Sequence, residues 1–97
     1  MTANKLYQIV IKKLPISEIH PLHKLILEES CENAVNNSQN IEDKDTLVYA
    51  AQVGFLTGNS ALKGTLKGTF ENSDVEQITL NYRGSSFTIE RNSPFVK

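Results

Sequence analysis

From Lys5 to Leu14, Tyr7, Ile9 and Ile11 alternate with Gln8, Val10 and Lys12. A period of two with β-branched residues predicts a β-strand. Leu6 and Val10 lie on its second face, so the expected strand is covered in part on both sides. Lys12-Lys13 and then Leu14-Pro15 close it.

A helix is expected next, starting at Ser17 or Pro21. Serine caps helix starts, and proline suits the first turn. Leu22, Leu25, Ile26, Leu27, Cys31, Ala34 and Val35 recur at three- and four-residue steps, with Glu28, Glu29 and Glu32 on the polar side. The run from Asn36 to Asn40 reads as a polar loop.

Residues 44–57 fit two templates. As a helix, Asp43 or Asp45 caps the start, and Leu47, Ala50, Ala51, Gly54 and Phe55 form a stripe. Gly58-Asn59 then marks its end. As a buried strand, Leu47, Tyr49, Ala51, Val53 and Phe55 alternate. The alanines and the caps favour the helix.

The last third gives the clearest pattern. Ile78, Leu80 and Tyr82 alternate with Thr79 and Asn81, and Phe87 and Ile89 alternate with Ser86, Thr88 and Glu90. A two-residue loop at Arg83-Gly84 sets Leu80 opposite Phe87, Thr79 opposite Thr88, Ile78 opposite Ile89 and Glu76 opposite Arg91. Arginine is not favoured at the first loop position, so a four-residue loop in the same register is the alternative. A strand from Thr65 to Phe70 is expected before this hairpin. An odd-length connection would set Phe70 opposite Glu76 and keep Leu66 and Phe70 on the core face.

The expected fold is α+β. A strand, two helices and a three-stranded antiparallel meander give a four-stranded sheet with both helices on one face. If residues 46–56 are a strand, one helix covers a five-stranded sheet. Residues 1–97 are read as one domain, with 92–97 a loose tail.

Composition narrows the class. Apolar residues make up 39% and charged residues 22% of the 97, a globular balance rather than a disordered one. No apolar run reaches the roughly 20 residues that span a bilayer, and no secretory leader is legible. Cys31 is the only cysteine, so no internal disulfide forms. A reducing cytoplasm is the expected compartment.

The net charge of −1 is unevenly spread. Lys5, Lys12, Lys13 and Lys24 against Glu18 make the first 24 residues basic. Glu28, Glu29, Glu32, Glu42, Asp43 and Asp45 against Lys44 make residues 25–45 strongly acidic. That stretch repels a phosphate backbone and steers basic surfaces.

Candidate chemistry is sparse. His20 and His23 lie one helical turn apart, but Cys31 is too far along a helix to complete a zinc set. His20 reads as the helix start and His23 as a surface residue. Cys31 lies on the apolar stripe, where a thiol is inert. The serines show no Gly-x-Ser-x-Gly elbow, and a chain this small has little room for an enclosed pocket of about 300 Å³. Lys63-Gly64-Thr65 and Lys67-Gly68-Thr69 invert the order of a phosphate loop. Lys12, Lys13, Lys63, Lys67, Arg83 and Arg91, with Tyr7, Tyr82 and Phe87, form a nucleic-acid surface only if one sheet face gathers them.

No metal, cofactor or catalytic residue is therefore expected. The sequence points to a small non-catalytic protein–protein interaction or regulatory module. Its partner-binding candidates are Glu28, Glu29, Glu32, Asp43, Asp45 and Arg83, with an exposed strand edge as a further surface. The alternatives are a nucleic-acid-binding sheet domain and a homo-oligomeric ligand-binding protein. The second rests on Leu6, Val10, Phe95 and Val96 as exposed apolar residues. No membrane partner is expected.

Overall fold

The computed structural model describes residues 1–14, 20–37 and 43–96. Three helices precede a hairpin: α1 (Ala3–Lys13), α2 (Pro21–Asn36), α3 (Lys44–Glu71), β1 (Gln77–Tyr82), β2 (Ser85–Glu90) and a 3₁₀ turn at Pro94–Val96. The described residues hold one two-stranded antiparallel sheet. The fold is α+β, but the expected four-stranded sheet is replaced by helices followed by a hairpin. The five-stranded alternative fails for the same reason. The chain divides into two compact units, Met1–Gly58 and Asn59–Lys97.

The first correction concerns residues 5–14, which form a helix. Leu6 and Val10, four apart, are both fully buried, while Ile9 and Ile11 are only half-buried. The four-residue step therefore wins over the alternation, since it stacks both side chains on one helix face. Burying the pair contributes about 1.5–3 kcal/mol per side chain. Thr2 caps the start, accepting from the Lys5 amide at 3.2 Å. Lys12 and Lys13 sit in the last turn, where cations suit the helix dipole.

α2 starts at Pro21, and Ser17 falls outside the described residues. His20 is the cap, its Nδ1 accepting from the Leu22 amide at 3.1 Å. Leu22, Ile26, Leu27, Ser30, Cys31 and Ala34 are its buried face. α1 packs against α2.

Residues 44–57 are helical, but Gly58-Asn59 does not end the helix. Asp43 caps it: its carboxylate accepts from the Asp45 amide at 3.0 Å and the Thr46 hydroxyl at 2.9 Å. Leu47, Val48, Ala51 and Phe55 are buried. The two central glycines serve packing. A Cβ on Gly54 would meet Ser30 at 3.4 Å, and one on Gly58 would meet Ile26 Cγ2 at 3.3 Å. Their bare backbone lets α2 approach closely. The Ser30 hydroxyl donates to the Ile26 carbonyl at 2.9 Å, so it is satisfied inside its own helix.

The second correction concerns Thr65–Phe70, which is the end of α3 and not a strand. The expected pairing of Phe70 with Glu76 is therefore absent. Leu66 and Phe70 again lie four apart and are buried. Thr65 and Thr69 bond back to the carbonyls of Ala61 and Thr65 at 3.1 and 3.0 Å, which lets them sit inside a helix.

The hairpin has the expected register: Ile78 opposite Ile89, Thr79 opposite Thr88, Leu80 opposite Phe87. The Arg91 amide donates to the Glu76 carbonyl at 2.8 Å. The loop is the two-residue one. Arg83 at φ 53° and Gly84 at φ 83° both take the left-handed conformation that a type I′ turn requires. In the C-terminal segment, Phe95 and Val96 are buried, and the Val96 amide donates to the Ser93 carbonyl at 3.1 Å.

Candidate functional site

Within the first unit, α1 and α2 border an open groove of about 180 Å³. Ala3, Asn4 and Tyr7 line it from α1, and Glu28 and Glu32 line it from α2. Helical spacing sets both rows. Residues 3, 4 and 7 share one face of α1, opposite the lysines of its last turn. Residues 28 and 32 stand one turn apart on α2. Both rows are held by the fully buried Leu6, Val10, Leu27 and Cys31.

The groove carries a negative field, and two neighbouring groups register it. The Cys31 thiol is pushed up to about 11, first by burial and then by Glu28 and Glu32. The Tyr7 phenol is raised above 10.0 by burial, then by Glu28, then by Cys31. Burial opposes any charge, whereas the smaller coulombic contribution of Glu28 and Glu32 opposes an anion and favours a cation. Cys31 is accordingly a protonated, buried thiol and a poor nucleophile.

Of the residues singled out in the sequence, the structure brings Glu28 and Glu32 together in this groove. Glu29 is half-buried and lies outside it. Asp43 and Asp45 belong to the start of α3, where Asp43 is engaged in capping. Arg83 occupies the hairpin turn in the other unit. Tyr7 is named in the sequence only as a stacking face, and Ala3 and Asn4, which precede the expected strand, are not named as site residues. The signal for them was Thr2 as a cap ahead of the Leu6/Val10 pair.

Lys12 and Lys13 end α1, and Lys63 and Lys67 lie in α3, so no sheet face gathers them. Leu6, Val10, Phe95 and Val96 are buried within the chain. His23 is half-buried rather than superficial, its ring edge-on to Phe55 at 6.1 Å and to His20 at 6.3 Å. Among the described residues, no three histidine, cysteine or acidic side chains gather as a metal set. No helix among them is long and apolar enough to cross a membrane.

In the second unit the chemistry is structural. Arg91 donates through Nε to the Val75 carbonyl at 3.0 Å and through Nη1 to that of Phe70 at 3.0 Å. Its Nη2 donates to Ser73 at 2.8 Å and to Val75 at 2.6 Å. The guanidinium carbon also stands 5.2 Å from the Phe70 ring centre. Asn72 and Ser73 side chains take the Gly68 and Thr69 carbonyls at 2.8 and 2.7 Å. The open carbonyls at the end of α3 are thus met in succession by Asn72, Ser73 and Arg91. A second hollow of about 220 Å³ beside Lys67, Phe70, Glu71 and Val96 is bordered by this same arginine, whose donors point at carbonyls.

Compared with known proteins, the chain matches no family model, no curated protein and no solved structure.

Proposed function

We propose that this chain is a small non-catalytic interaction module that receives a basic side chain of a partner protein in the groove between α1 and α2. The observation that carries the reading is the placement of Glu28 and Glu32 across from Tyr7 and Asn4. A lysine or arginine entering there meets two carboxylates, an amide oxygen and an aromatic ring, a set that suits charge-assisted hydrogen bonds and cation–π contact. At about 180 Å³ the groove has room for one side chain. Pockets for whole small molecules begin near 300 Å³, so size favours a protein side chain over a metabolite.

The same carboxylates face the first turn of α1, whose amides are the positive end of that helix. They therefore have a structural role as well, and the test must separate the two. An arginine-containing peptide titrated into the full chain should shift the amide resonances of Asn4, Tyr7, Glu28 and Glu32, and an acidic peptide should not. The double substitution Glu28→Gln/Glu32→Gln should weaken binding by about tenfold or more and flatten its salt dependence. A purely structural role would lower the melting temperature and leave the affinity unchanged. That outcome, or shifts confined to another surface, would sink the reading.

A further inference from the structure

β1 forms one outer edge of the two-stranded sheet. The Arg91 amide bonds the Glu76 carbonyl, and a two-residue loop joins Tyr82 to Ser85. Antiparallel geometry then assigns the groups along β1. Ile78, Leu80 and Tyr82 turn their amides and carbonyls toward β2, and Gln77, Thr79 and Asn81 turn theirs outward. Gln77, Thr79 and Asn81 are all exposed, and no other strand among the described residues lies beside them. Such edges are ordinarily blunted by lysine, proline, a bulge or a covering segment. The β1 sequence Gln-Ile-Thr-Leu-Asn-Tyr has neither charge nor proline. β2 carries Glu90 among its own outward positions.

We infer that β1 pairs with β1 of a second copy, antiparallel about a two-fold axis at Thr79, giving a four-stranded sheet across the dimer. The pattern is self-complementary about that residue. Thr79 meets its own symmetry mate, and Gln77 meets Asn81 in both directions. All the outward groups then fall in hydrogen-bonded pairs, about six backbone bonds in total. At the intervening positions Ile78 meets Leu80, again in both directions. These are the non-hydrogen-bonded sites, where cross-strand side chains approach most closely. Ile78 and Leu80 are half-buried in the single chain, so they have apolar surface left to cover. The polar face aligns threonine with threonine, a favourable cross-strand pair that the hairpin already uses between Thr79 and Thr88. A two-fold arrangement also closes the assembly.

Sedimentation equilibrium on the full chain from micromolar to millimolar concentration tests this. The wild-type chain should approach twice its monomer mass. Thr79→Lys and Thr79→Glu each put like charges on the axis and should weaken dimerisation by about tenfold or more. An equimolar mixture of the two should recover it, because opposite charges then meet. Thr88→Lys, on the far strand, should dimerise as the wild type does. Circular dichroism of each variant checks that the hairpin has formed, and either sign of charge at position 79 suffices for the comparison. A wild-type chain monomeric throughout overturns the inference. So do growth beyond the dimer, dissociation by Thr88→Lys, and a mixture no tighter than its parts.

Discussion

The two compact units are held by different means. Met1–Gly58 buries apolar residues from three helices: Leu6 and Val10, then Leu22, Ile26, Leu27 and Cys31, then Leu47, Val48, Ala51 and Phe55. Asn59–Lys97 buries a shorter set, Leu66, Phe70, Ile89, Phe95 and Val96. It adds a polar device, the Arg91 guanidinium spread over the carbonyls of Phe70, Ser73 and Val75. The helix starts of the first unit are met by single caps at Thr2, His20 and Asp43, and its helices otherwise need only a covered stripe. Every helix end leaves carbonyls open, and at the end of α3 one planar cation satisfies several of them. The first unit should therefore respond to lost volume and the second to lost donors.

The largest expected effects break each unit by its own means. Leu27→Ala should cost about 2–5 kcal/mol, because it empties a fully packed site. Arg91→Met keeps most of the apolar stem and removes every donor, and should cost about 2–3 kcal/mol. Denaturant unfolding measures both. If Arg91→Met proved neutral, the polar clamp would be incidental and the small core alone would hold the second unit.

A smaller effect separates the units by pH. The Cys31 thiol ionises near 9.0 when unfolded and at about 11 in the folded chain. Below pH 9 both states hold the proton and nothing is gained or lost. Between 9 and 11 the unfolded state releases it first, so stability falls as pH rises. The decline relative to a Cys31→Ala variant, followed by melting temperature, isolates this group from the lysines and tyrosines. A wild-type curve parallel to that of the variant would place the thiol in a more polar site.

The smallest effects sharpen the contrast along α3 itself. Gly64→Ala should stabilise by about 0.5–1 kcal/mol, since alanine is the better helix former. A Cβ there meets nothing within 4 Å. Gly58→Ala should lose that gain, because Ile26 stands 3.3 Å from the new carbon. Equal gains at both positions would mean that α2 does not need the bare backbone of Gly58.

How legible the chain was depended on which competing pattern the fold used. The hairpin could be read because three signals agreed: alternation on both arms, a glycine turn, and apolar pairs that fell in register. Its partner strand is local, so no distant part of the chain was needed to decide it. Residues 5–14 and 65–70 carried alternation too, but neither had a partner strand, and both contained an apolar pair four residues apart. Half of the candidate site was visible, in Glu28 and Glu32 on the polar side of a helix whose apolar stripe was clear. The other half, Asn4 and Tyr7, is not, because alternation from Lys5 to Leu14 reads as a strand and hides the helix that begins at Ala3. Arg91 was expected to face Glu76 across the hairpin. Its backbone does so, while its side chain reaches α3, a contact that spans 21 positions of sequence to Phe70.

By itself, the sequence determined what local physics decides. It set a helix starting at Ser17 or Pro21, an aspartate cap at 43 or 45, the hairpin register, the buried inert cysteine and the acidic face of α2. Tertiary structure alone decided whether Leu6 with Val10 and Leu66 with Phe70 would line helices or strands. It also decided that α3 would run on through Gly58, which α2 needs for close approach, and where the donors of Arg91 would go. Those choices turn on which apolar stripe finds a covering surface, and a covering surface is supplied by residues far along the chain.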